Sequence, residues 1–191
     1  ITPTTQMQLA VGQSRFQRND DTIESDNLQL NLGLTHEYSE RINLGGTLGA
    51  RQTTTNDNTS IGLIGSFNAS YQLERGSLTL SANRSISPNA FSGNTINDRI
   101  SATLEHNYSA RLRADLRLRW TRSADTSDAS RRLDQTLTQF SPSLTWKLRE
   151  NLTLRASYRY SLQSREELGE AVSNAFTLNL DYQWPKMDLS R

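Results

Sequence analysis

Two histidines, His36 and His106, are the chain's only imidazoles, and it has no cysteine. Thiolate metal sites, disulfide scaffolds and cysteine nucleophiles are therefore excluded. A serine hydrolase needs an imidazole base beside its serine. Both histidines instead share the apolar parity of their segments close to a turn, where they read as interfacial residues. No G-x-S-x-G, phosphate loop or metal-spaced histidine cluster occurs, so neither a catalytic site nor a resident cofactor or metal is expected. The residues with chemistry to offer are arginines. Arg111, Arg113, Arg117 and Arg119 recur at every second position or multiples of it, with Asp115 among them, and Arg155 and Arg159 repeat the spacing. Guanidinium groups so spaced do not make or break bonds; they attract and hold anions.

That spacing has meaning only if the arginines share one face, and the chain is built to provide one. Leu112, Ala114, Leu116, Leu118 and Trp120 alternate with the arginines. Leu28, Leu30, Leu32 and Leu34 alternate with Gln29 and Asn31, while Phe176, Leu178, Leu180 and Tyr182 alternate with Thr177, Asn179 and Asp181. A period of two over such lengths specifies strand and excludes helix. The segments are 4–16, 27–38, 41–52, 60–72, 76–87, 97–108, 111–123, 135–148, 151–163 and 173–185, giving about ten strands of roughly 11–13 residues. Globular strands average nearer 5–6 residues, so the excess length points to a membrane span. The mean hydropathy of −0.68 and 34% hydrophobic content alone suggest a polar surface protein, and no apolar run approaches the roughly 18 residues of a transmembrane helix, but only alternate residues of a spanning strand face lipid.

Tight turns fall at 38–41, 73–76, 108–111 and 148–151; longer polar loops are expected at 17–26, 53–59, 88–96, 124–134 and 164–172. Strands running toward the tight turns end in Tyr38, Tyr71, Tyr108, Trp146, and Tyr182 with Trp184, all on the apolar parity. Amphipathic rings favour the lipid–water boundary, so these form an expected interfacial girdle. A looser ring near the loop side would draw on Trp120, Phe140, Tyr158, Tyr160 and Phe176. The competing reading is a soluble sandwich with ordinary core aromatics, which has no need to place them at one end of every second strand.

From Thr4 to Trp184 the chain resembles the outer-membrane β-barrel proteins of Gram-negative bacteria. Its last strand, Ala175 to Trp184, looks like the C-terminal signal read by the barrel-assembly machinery. Such proteins usually stop at a terminal aromatic, whereas here Pro185 to Arg191 continue. The Tyr-Gln-Trp-Pro ending is similar to that of barrels associated with exopolysaccharide and exosortase gene clusters. The resemblance implies an all-β, antiparallel up-and-down transmembrane barrel, with short periplasmic turns and longer extracellular loops. It implies one domain over residues 1–191, or else the C-terminal part of a longer barrel. The expected partners are outer-membrane lipid and lipopolysaccharide, the assembly machinery, and other envelope proteins or further barrel strands. The ten-stranded omptin proteases of this class need a histidine near the extracellular rim, which this chain lacks.

With the apolar parity toward lipid, the other parity lines the lumen. It carries Arg41, Arg51, Arg99, Arg111, Arg113, Arg117, Arg119, Lys147, Arg155 and Arg159 against Glu37, Glu105, Asp115 and Asp181. The formal net charge is only +1, because most other acids, such as Asp20, Asp21, Glu24, Glu166 and Glu167, lie in loops. The expectation is a porin-like channel or export duct favouring anionic solutes. The alternative is a plugged structural or binding barrel, with pairs such as Glu37–Arg41 and Glu105–Arg113 and with function in loops or partners. Inward arginines form no exposed patch for nucleic acid, and Arg84, which breaks the apolar parity of its strand near the loop-side rim, is expected to snorkel there. The chain must also close on itself or find a permanent partner strand, because a free edge is a liability.

Overall fold

The computed structural model describes residues 4–17, 24–55, 58–89, 93–125, 134–166 and 169–184. Their regular structure is entirely β: β1 (Thr4–Gln17), β2 (Glu24–Ser39), β3 (Ile42–Thr55), β4 (Asn58–Leu73), β5 (Gly76–Asn89), β6 (Gly93–Asn107), β7 (Leu112–Asp125), β8 (Gln135–Arg149), β9 (Leu152–Arg165) and β10 (Gly169–Tyr182). They form one antiparallel sheet in sequence order, each strand paired with its chain neighbours. No helix among the described residues is long and apolar enough to cross a membrane, which says nothing of strands.

Register keeps the two parities apart across the whole sheet. Leu9 lies opposite Leu32, and Leu32 opposite Leu48; Leu78 faces Leu104, and Leu104 faces Leu116. Because the side-chain period is two, a slip of one residue would exchange the faces, so the apolar pattern fixes the pairing. The apolar side chains have no core to enter. Met7 and Leu48 are each 71% exposed, Phe176 is 70% exposed, and Ile86 is the one buried hydrophobic residue among those described. This is the reverse of a soluble sheet, whose apolar face packs inward, and it requires a nonpolar surrounding.

The strands are longer than the sequence pattern predicts, 14–16 residues each. The gain comes from the expected loops. β3 and β4 stay paired to Thr55↔Asn58, and β9 and β10 to Arg165↔Gly169, so 53–59 and 164–172 are mostly strand. The β-branched Thr53, Thr54 and Thr55 extend a ladder well without an apolar face, a property that hydrophobic alternation does not register. The long segments 18–23 and 126–133 lie outside the described residues, and with them Asp20 and Asp21. At the β9–β10 turn Gly169 has φ +82°, a left-handed conformation open to glycine at little cost.

Two departures from a simple ladder matter. β1 pairs only with β2, and β10 only with β9, so self-closure, one of the two expected outcomes, is not formed among the described residues and the sheet is open. Between β4 and β5, pairing runs from Leu73↔Gly76 up to Gly65↔Arg84 and stops there. Beyond that point β5 steps onto the polar side of β4. A Cβ at Gly62 would coincide with the Ile86 side chain. The Arg51 guanidinium donates to the Ile86 carbonyl, and Asn94 of β6 donates to Ser60 Oγ of β4 at 2.8 Å. Underneath, Thr53 and Asn27 are only 2% and 5% exposed, with Thr53 Oγ1 donating to Asn27 Oδ1 at 2.8 Å. The tip of β5–β6 is thereby clasped against β2–β4.

The arginine face as a candidate functional site

The two faces bound a band of definite height. On the apolar face, Tyr38, Tyr71, Tyr108, Trp146, Tyr182 and Trp184 all sit at or just past the turn-side ends of their strands and are exposed. Three of these ends repeat one local design, an aromatic two residues from a partner ring. His36–Tyr38, His106–Tyr108 and Tyr182–Trp184 have centroids 6.3, 4.7 and 5.3 Å apart. The histidines thus belong to this row, with His36 Nδ1 also 2.8 Å from Thr5 Oγ1.

At the loop side the same face ends in charge. Arg84, expected to snorkel at this rim, is bound through Nε and Nη2 to the Asp98 carboxylate at 2.6 and 2.8 Å. Arg122 pairs with Asp134 at 2.7 Å, and Arg15 lies 3.8 Å from Asp26. Asp98 and Arg122 are cross-strand partners, a fact invisible until register is known. On β6 this charged row lies about ten residues from Tyr108, or about 33 Å along the strand at about 3.3 Å per residue. At a barrel tilt of about 40° that is about 25 Å along the normal, the height of an outer-membrane hydrocarbon band.

The opposite, polar face divides into two unequal halves. On β1–β5 it offers amides, hydroxyls and glycines: Gln8, Gln29, Asn31, Thr47, Ser66 and Asn83 are typical. Its charged members on the spanning strands are Glu37, which accepts from Thr4 Oγ1 at 3.1 Å rather than from Arg41, and Arg51. Sequence alternation places Arg51 among free lumen cations. In the fold it is half-buried and held by Asn27 Oδ1 at 3.2 Å and by the Ile86 carbonyl.

On β6–β9 the face is basic. Register rows read Arg99 beside Thr121, Arg119 between Ser101 and Gln139, Arg117 between Thr103 and Ser141, and Arg155 between Thr145 and Asn179. Arg159 lies opposite Ala175. Acids neutralise only one cation of this face among the described residues. Arg113 meets Glu105 at 2.9 Å and Asp115 at 2.7 Å, so the Glu105–Arg113 pair forms with Asp115 added to it. Among the described residues, no ion pair joins Arg99, Arg117, Arg119, Arg155 or Arg159 to a carboxylate. Arg119 Nε is buried with no hydrogen-bond partner, and Asp181 lies exposed near the turn end of β10, opposite Thr153. No group of three metal-ligating side chains occurs among the described residues.

No protein-family model and no curated protein matches the sequence. Solved structures do match the fold. The sheet is similar to the FrpB iron transporter from Neisseria meningitidis, with TM-score 0.65 and 14% identity, over 85% of this chain and 31% of that one. It is similar to the outer membrane channel DcaP of Acinetobacter baumannii, with TM-score 0.61 and 13% identity, over 89% of this chain and 61% of that one. The ferripyoverdine receptor of the outer membrane of Pseudomonas aeruginosa gives TM-score 0.59 and 13% identity, over 86% of this chain and 27% of that one. The chain thus spans less than two thirds of each of these proteins. The fold is that of the wall of a Gram-negative outer-membrane β-barrel, and the outer membrane is the setting in which its exposed apolar face is satisfied.

Proposed function

We propose that the chain forms the wall of an outer-membrane channel or export duct whose polar face lines an aqueous lumen favouring anionic solutes. The observation that carries this reading is the set of β6–β9 arginines without acid partners among the described residues. An aqueous lumen bounded by low-dielectric walls focuses such a field and concentrates counter-ions. The open sheet supports it. A barrel of about eight strands is filled by its own side chains, but this sheet matches parts of longer outer-membrane proteins and, among the described residues, does not meet its own far edge. In a lumen of that width the arginines face water and solute.

No bond-making step is assigned to the chain. The charged row of Arg84, Asp98, Arg122 and Asp134 suits the headgroup level of lipopolysaccharide, and the last strand suits recognition by the assembly machinery. A second reading, a structural or binding barrel with little conduction, draws on the clasp of β5–β6 over the polar face, which takes up lumen space. Reversal potential in a planar bilayer under a potassium chloride gradient separates the two. A potential displaced toward that of chloride is expected for an anion-favouring duct. A bilayer that stays silent with folding verified would defeat the channel reading, and a cation-selective one would defeat its anion preference.

A further inference from the structure

On the polar face β8 and β9 part company for two residues. Pairing holds at Phe140↔Tyr160 and resumes at Ser143↔Ser157, with Ser141 and Pro142 left out of the β9 register. Pro142 has no N–H to give to a ladder, and proline in a central strand interrupts it. Beside the interruption lies a recess of about 360 Å³ on the polar face. Arg117 and Arg159 flank Ser141 at its upper edge, and Arg155 stands four residues below Arg159 on the same strand. Ser157 lies between the two levels, opposite Ser143 and Thr177.

The charge around this recess is not balanced. Arg113 is engaged by Glu105 and Asp115, and Asp115 also accepts from Ser143 at 3.4 Å. Arg155 uses Nε on Thr145 Oγ1 at 3.3 Å, leaving its terminal nitrogens. Arg117 and Arg159 carry no hydrogen bond or ion pair to another described residue. Three guanidinium groups and a serine hydroxyl around one concavity are a donor-rich surround, and the planar fork of arginine matches oxyanions in bidentate fashion.

We infer that this recess binds a single oxyanion group, a carboxylate or a phosphate, carried by the solute. The inference rests on the lumen reading, since the recess must face water to be filled. It turns the diffuse preference of a basic wall into one saturable step, favourable enough to enter and open enough to leave.

Binding is measured by calorimetry on the full chain folded in detergent micelles, so that its failure is separable from failure of conduction. The probes are inorganic phosphate and glucuronate, with glucose as the neutral control. Saturable binding of either anion and none of glucose is expected, and which anion binds identifies the group. Arg159→Gln and Arg117→Gln should each weaken it about tenfold or more, as loss of a charge-assisted hydrogen bond implies, with Arg159→Lys recovering part. Arg99→Gln, outside the recess, should leave affinity within about twofold, because the field of a charge removed at that distance is largely screened. Heat-modified electrophoretic mobility verifies folding of each variant. No saturable binding, or equal weakening by Arg99→Gln and Arg159→Gln, would overturn the site even if the bilayer shows anion selectivity. Saturable binding with a silent bilayer would keep the site and defeat the duct.

Discussion

The polar faces of β1–β5 and β6–β9 are built by the same alternation and hold different chemistry. Both put every second side chain away from lipid, and both continue one hydrogen-bonded ladder. On β1–β5 that side chain is mostly an amide, a hydroxyl or a hydrogen. Its one mid-sheet arginine, Arg51, is occupied in holding the β5–β6 tip. On β6–β9 it is repeatedly an arginine with no acid to answer it among the described residues. Parity fixes which way a residue points, and partners fix what it is free to do. Arg51 and Arg119 are indistinguishable by parity; one is a clasp and the other a cation with no carboxylate beside it.

Charge reversal should separate the two halves most sharply. Arg117→Glu with Arg119→Glu is expected to invert ion preference in the planar bilayer. Gln8→Glu with Gln29→Glu, adding two negative charges to the neutral half, should shift the reversal potential without inverting it. Equal effects from both pairs would erase the distinction between the halves. Next in size is the seam. Gly62→Val places side-chain atoms where Ile86 lies and should cost about 1–3 kcal/mol, as overpacking does, read as a lower urea midpoint for loss of the folded, heat-modifiable form. Arg51→Ala strands the Ile86 carbonyl, while Asn27 Oδ1 keeps its bond from Thr53 Oγ1, and should cost a similar amount, about 1–3 kcal/mol, while leaving ion preference close to wild type. A large selectivity change from Arg51→Ala alone would return it to the conducting cations. The smallest effect belongs to Arg113→Gln. Its ion pairs are half-exposed, and such pairs contribute about 0–1 kcal/mol. The variant should therefore unfold almost as wild type does, and the small difference should vanish at high salt.

The fold was legible because its dominant signal is local. Leu28 to Leu34 or Arg111 to Trp120 declare a strand and its two faces without reference to any other segment. The girdle was legible for a related reason, since Tyr108 and Trp146 take their depth from the turns beside them. What escaped the sequence is set by long-range register. Asp98 and Arg122 stand on the apolar parity, and only the alignment of β5 to β8 turns them, with Arg84 and Asp134, into a charged boundary. The Arg51 clasp depends on a seam that opens at Gly65 and on a glycine at position 62 opposite Arg51. The recess at Pro142 depends on which residues of β9 face the interruption. The loops are shorter than expected because a polar run such as Thr53–Thr55 keeps pairing, here with Asn58–Ser60, where the apolar alternation has ended.

Every prediction above depends on one arrangement, in which the polar parity of this sheet faces water and the apolar parity faces lipid. The chain has no cysteine, so single substitutions report cleanly. Thr103→Cys and Ser143→Cys on the polar face are compared with Leu104→Cys and Leu144→Cys on the apolar face, each in the protein folded into lipid vesicles and treated with a membrane-impermeant maleimide. Labelling of the first pair and protection of the second is the expected result. Equal labelling of both parities, or labelling of the leucine positions alone, would contradict it.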